Sequence, residues 1–213
     1  MLALYYAPGA CSVAAHVALE EAGAVFEPRA LSYPRGDFRA PAYLALNADG
    51  QVPTLVVGGT PLTQNVAILT WIARRFSEAR LLPVGDLMTE AKALSLMGWL
   101  SSSVHPSFHA QFGALFSIGD AAARAQAIAE ARRPSERYFE RIDALLQDRE
   151  WVFGNFSVVD AYLLPFFDWA ERLFDFDLAR YPHYRAHIER LRARPAVQRV
   201  LAREAAAQAA FAA

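Results

Sequence analysis

The sequence predicts a small α/β sheet domain followed by an all-helical domain, and three observations carry that prediction. Strand-like and helix-like apolar patterns alternate in the order β-α-β-α-β-β-α over roughly the first 80 residues, the pattern of a mixed sheet flanked by helices. Beyond Asp86 the strand signals stop, and apolar residues recur only at threes and fours. Between the two lies Ser77 to Asp86, with Leu81-Leu82-Pro83 and Gly85, which reads as a linker. We expect a sheet domain over 1–78, a linker over 79–86 and a helical domain over 87–213.

Leu2 to Tyr6 is a short strand closed by Pro8-Gly9. Ser12 to Ala22 turns helical, with Val13 and Val17, and Ala14 and Ala18, at fourfold spacing and Gly23 as a stop. Val25 to Leu31 is a second strand, which Pro28 confines to an edge. A short helix near Ala42 to Leu46 follows, then the Asn47-Ala48-Asp49-Gly50 turn. Thr54-Leu55-Val56-Val57, Gly58-Gly59 and Pro61-Leu62-Thr63 form the clearest hairpin, because glycine supplies positive φ at the turn. Asn65 to Phe76 is a helix with Ile68, Leu69, Ile72 and Phe76 on one face. Later helices are expected near 87–116, 121–148, 158–173, 183–193 and 196–210, with Pro134 shaping or interrupting the second.

Hydrophobic residues make up 54% of the 213 and charged residues 20%, a balance that buries a core and excludes a disordered chain. A formal net charge of −1 supplies no general field for nucleic acid or an anionic membrane. No apolar run approaches the roughly 18 residues that span a bilayer, and the N-terminus lacks the features of a secretory signal. Cys11 is the sole cysteine, so no internal disulfide forms, and a reducing cytoplasm is the expected compartment.

Five local features bear on chemistry. Cys11 stands at the start of the first helix, where unpaired N–H groups and the helix dipole favour thiolate; a small buried thiol is the competing reading, and spacing alone leaves both open. Val52-Pro53 is either a trans proline entering an edge strand or a cis turn, which would leave the Val52 backbone free to pair with an extended peptide ligand. Asn65, after Gln64, reads as an N-cap on a helix whose N-terminus also suits a carboxylate. Ser157 and Asp160 have capping-box spacing and a structural role. Pro106 pushes His105 away from helical geometry, so Ser101 to Phe108 should kink and tip His105 into a cleft. His109 completes an HxxxH pair, but the proline disturbs its register and no further ligand is evident, so no metal is expected.

Five segments in this order resemble the cytosolic glutathione transferase family, most of all its bacterial beta class. They are Tyr5-Tyr6-Ala7-Pro8-Gly9-Ala10-Cys11-Ser12, Gln51-Val52-Pro53-Thr54-Leu55, Leu62-Thr63-Gln64-Asn65-Val66-Ala67-Ile68, Ser102-Ser103-Val104-His105-Pro106-Ser107-Phe108 and Phe156-Ser157-Val158-Val159-Asp160-Ala161-Tyr162. The resemblance implies a thioredoxin-like N-terminal domain, a helical domain shaping the cosubstrate pocket, and a cytoplasmic homodimer that detoxifies small hydrophobic electrophiles. Glutathione would be the cosubstrate, with no further cofactor. Pro53 would be cis beside Gln51, Val52 would pair with the cysteinyl part of glutathione, Gln64 and Asn65 would hold its γ-glutamyl end, and Arg35 would lie near its glycine carboxylate. Cys11 and His105 would flank the sulfur, with Ser12 and Tyr5 as rival partners. Phe108 and Phe112, with Trp99 and Phe116, would line the acceptor side. The chain departs from the family pattern at Asn65, where serine is common, and at Val104 and Pro106, where an acid and a lysine are common; the last two changes remove charge from the cleft.

Two further functions share this reading of the fold. A mixed disulfide at Cys11 would make a glutathione-dependent thiol–disulfide oxidoreductase or peroxidase, one needing an outside thiol because Ala14 stands where a resolving cysteine would. A non-enzymatic ligand-binding protein is the other.

Overall fold

The computed structural model describes residues 1–83 and 86–212. Strand β1, Leu2–Tyr6, sits inside the sheet and sorts its side chains to two faces. Leu4 and Tyr6 enter the main core, while Tyr5 packs with Ala7, Leu31, Phe38 and Tyr43 on the other side. β1 pairs in parallel with β2, Phe26–Ala30, and antiparallel with β3, Thr54–Val57, which forms the expected hairpin with β4, Thr60–Thr63. The strand order β2-β1-β3-β4 puts Pro28 on an edge, as its missing N–H requires.

Helices α1, Val13–Glu21, and α3, Asn65–Arg75, cover one face, and the short α2, Pro41–Leu44, lies on the chain between β2 and β3. The helical part comprises α4, Leu87–Trp99; α5, His105–Ser117; α6, Ala121–Leu146; α7, Val158–Arg172; α8, Pro182–Arg192; and α9, Pro195–Ala212. Pro134 lies inside α6 without interrupting it, contrary to one of the two expectations for that residue. The capping box at the start of α7 is formed: the Ser157 N–H and hydroxyl both donate to Asp160 Oδ2, at 2.8 Å each.

One continuous apolar cluster runs from Leu4, Val17, Leu55 and Ile68 of the sheet part to Phe139, Tyr162, Phe166 and Tyr184 of the helical part. Each such fully buried side chain contributes about 1.5–3 kcal/mol, so the two parts share their main stabilising term. The expected linker joins in, since Leu81 and Leu82 are buried and the Leu81 carbonyl accepts the Val158 N–H at 2.9 Å. Residues 84 and 85 of that segment lie outside the described residues.

The turn after β1 is held from two sides. The Gly9 carbonyl accepts the Trp169 indole N–H at 2.8 Å, and the Gly9 N–H donates to Glu204 Oε2 at 3.0 Å. Glu204 Oε1 pairs with the buried His16 Nδ1 at 3.1 Å, and Arg203 donates to His16 Nε2 at 2.9 Å. Gly9 adopts φ 73, a conformation that glycine enters without strain.

Candidate active site

A cavity of about 250 Å³ opens between the end of the β1 turn, the N-terminus of α3 and the face of α5. Cys11, Val52, Asn65, His105 and Tyr162 all line it, and among the described residues its lining includes no aspartate, glutamate, lysine or arginine.

Cys11 lies two residues before α1, with Ser12 at the cap position, so the thiol is not in the first helical turn as expected. It is only 8% exposed, and burial pushes its pKa up to about 12, overriding its hydrogen bonds and the helix end. Cys11 is therefore a neutral thiol at physiological pH, and its Sγ lies 3.5 Å from the Val52 carbonyl, to which it donates. Val52–Pro53 is cis. Only part of the Val52 backbone is then free, because its carbonyl already faces the thiol. Beneath it, the Gln51 carbonyl accepts from the Tyr43 hydroxyl and from Asn47 Nδ2, the latter at 2.8 Å.

Gln64, not Asn65, occupies the cap position of α3, with φ 71, a left-handed value for a non-glycine residue. Asn65 is the first helical residue, and its side chain turns away from capping: Nδ2 donates to the Cys11 carbonyl at 3.0 Å. No side chain caps α3, so its first N–H groups remain open to an anion.

Pro106 acts differently from the expected kink. His105 keeps helical angles, and the chain widens into a π-helical stretch over Leu100–Val104, with the His105 N–H bonded to the Leu100 carbonyl five residues back. That wider turn makes room for the proline ring, which would clash with the carbonyl four residues before it in a regular helix. Ser101, His105 and His109, four apart, all reach the cleft. The His105 ring packs 5.2 Å from Trp169 and 4.9 Å from His109. Burial first, and then the electrostatic effect of the neighbouring His109, brings the His105 pKa down to about 4, so this imidazole is neutral at neutral pH. Among the described residues no three His, Cys, Asp or Glu side chains converge as a metal site.

Several expected residues are not brought to this cleft. Tyr5 faces the small cluster behind the sheet, where its hydroxyl accepts from Arg29 at 2.6 Å. The Ser12 hydroxyl is fully buried, accepting from the Ala7 N–H at 3.2 Å and donating to the Ala7 carbonyl at 3.3 Å, so it closes the turn. Arg35 reaches the other way, donating to the Ala210 carbonyl at 3.0 Å with its guanidinium over the Phe211 ring. Phe108 is completely buried among Phe139, Phe166, Trp169 and Phe174, which makes it core and no pocket wall. Phe112 is half-buried against Trp169, with Phe116 stacked on it and exposed, while Trp99 packs under Arg141. The residues that sequence reasoning missed are Tyr33, Asn47, Ser101 and above all Tyr162. Tyr162 lies in the Phe156 to Tyr162 segment, but nothing local shows that a residue 151 positions after Cys11 lines the same cavity.

The description "Glutathione S-transferase, N-terminal domain" matches residues 1–74, and "Glutathione S-transferase, C-terminal domain" matches 104–195. The chain belongs to the glutathione S-transferase family. A glutathione S-transferase of Xanthomonas campestris pv. campestris is 34% identical over 170 residues, covering 79% of this chain and 82% of that one. The structure of a glutathione S-transferase from Xylella fastidiosa superposes with a TM-score of 0.88 at 36% identity, covering 96% of this chain and 99% of that one. Two sphingomonad glutathione S-transferases, one complexed with glutathione and one described as bacterial beta class, match at 31% identity with TM-scores of 0.82 and 0.80, each covering 95% of this chain and 98% of the other. The thioredoxin-like sheet and the following helices are thus the transferase fold. Among the described residues no helix is long and apolar enough to cross a membrane.

Proposed function

We propose that the chain is a glutathione transferase of the beta type, joining glutathione to small hydrophobic electrophiles in the cleft beside Cys11. The observation that carries this is the convergence of cis Val52–Pro53, the Cys11 thiol and the uncapped N-terminus of α3 on one cavity. The α3 N–H groups, that of Asn65 included, and the Gln64 carboxamide suit the γ-glutamyl carboxylate, and the remaining Val52 backbone suits the cysteinyl unit. Glutathione loses its thiol proton to solvent. The thiolate then forms a carbon–sulfur bond as the leaving group departs with its electron pair. The neutral His105 ring, which lines the cleft beside Cys11, suits that sulfur as a donor. Arg35 can engage the glycine carboxylate only after leaving Ala210 and Phe211. The electrophile would rest on Phe112 and the exposed Phe116 stacked on it.

This reading includes a homodimer in the cytoplasm, a detoxifying role, and glutathione as cosubstrate with no resident cofactor. Conjugation is favoured over disulfide exchange because a thiol held near pKa 12 has almost no thiolate to attack with. The test is glutathione conjugation to a small aryl halide, with calorimetric binding of glutathione alongside. Binding with conjugation supports the proposal; binding without conjugation across several electrophiles removes the transferase reading and leaves the ligand-binding one.

A further inference from the structure

We infer that the Tyr162 hydroxyl donates a hydrogen bond to the glutathione sulfur seated beside Cys11, and is a catalytic residue of thiolate formation. The inference rests on the cleft being a glutathione site. Tyr162 comes from α7, is only 1% exposed and lines the same cavity as Cys11. Its ring packs against Phe166, centroids 5.5 Å apart, and Cys11, Ser101 and Asn65 line the same cavity.

One unfilled acceptor lies at this floor. Asn65 is 6% exposed and lines the cleft; its Nδ2 is committed to the Cys11 carbonyl, and its buried Oδ1 has no partner. Tyr162 lines the same floor, together with Ser101. A ligand sulfur at this floor donates to Oδ1 as a thiol, and as a thiolate it accepts from the phenol. Cys11 and Tyr33 are weaker donors. The Cys11 S–H is poor and already faces Val52, while Tyr33 is 67% exposed and stacked flat on Phe38. A phenol is more acidic than the Ser101 alcohol, and burial keeps its own proton in place by raising its pKa. The thiol proton leaves to solvent, and the tyrosine donates without ionising.

The test is the pKa of bound glutathione, read from thiolate difference absorbance and from the pH dependence of kcat/KM. Tyr162→Phe should raise that pKa by about one unit and lower kcat/KM about tenfold below it, with glutathione affinity nearly unchanged, since a bond to a charged group is lost. An unmoved pKa in folded Tyr162→Phe overturns the inference. If that variant does not fold, fluorotyrosine at position 162 keeps the packing and strengthens the donor; the bound thiol pKa should then fall, and an unmoved value again overturns it. Failure of the unaltered protein to bind glutathione overturns the underlying site reading, and the inference with it.

Discussion

The carboxamide of Asn65 donates to the carbonyl of Cys11 across 3.0 Å, and this bond joins the start of α3 to the turn that ends β1. Asn65→Ala strands a buried carbonyl and should cost about 1–3 kcal/mol. The same change lets the Cys11 turn drift, so KM for glutathione should rise more than kcat falls. Urea denaturation and steady-state kinetics measure the two effects, and an unchanged KM would separate this bond from ligand binding.

Because burial holds Cys11 as a thiol near pKa 12, iodoacetamide should alkylate the native protein at neutral pH far more slowly than it alkylates a free cysteine. The rate should climb with pH until the protein unfolds. Cys11→Ala should keep conjugation within about tenfold, the size of one weak donor lost from the sulfur site. A plateau in the alkylation rate below pH 8 would contradict the neutral thiol.

Glu204 is 5% exposed and holds the Gly9 N–H and His16 together. Glu204→Ala leaves both donors unanswered beside Arg203, and about 3 kcal/mol of destabilisation is expected, with Glu204→Gln costing less. Thermal melts of the two variants provide the measurement.

Acid stability has a predictable sign. His105 and His187 both have pKa values lowered to about 4 by burial, so the stability they favour is full above their ordinary 6.5 and lost as pH falls toward 4. Asp160, raised to about 6 by burial, acts the other way: its contribution is present below 3.8 and lost as pH rises through 6. Two groups against one leave a net loss of stability between pH 6.5 and 4. His187→Gln should flatten that slope, as denaturation at a series of pH values would record.

Phe108 and Phe112 should separate cleanly. Phe108→Ala opens a cavity in the core and should cost about 3–5 kcal/mol. Phe112→Ala, at a half-buried site, should chiefly raise KM for the electrophile, and kinetics with a second, bulkier electrophile would show the difference.

Much of this molecule was legible from local pattern. The β3–β4 hairpin, the edge position of Pro28 and the Ser157–Asp160 capping box depend on residues a few positions apart, and backbone dihedrals and periodicity encode them directly. Asn65 misled, because a residue that caps many helices also makes a good long-range donor, and only the nearness of Cys11 selects between the two. Tyr5 and Ser12 misled for a related reason. Both lie in the right segment, but the alternation of β1 sends Tyr5 behind the sheet and the turn consumes Ser12.

By itself, the sequence determined the order of elements, the two-part architecture, and the segments from which the cleft is built, because those follow from short-range spacing. Only the tertiary structure decided that Tyr162 joins Cys11, that Arg35 turns to the C-terminal helix, and that Cys11 is a neutral thiol. Facing direction and pKa depend on which distant chain segments exclude water from a group, and no stretch of neighbouring residues carries that information.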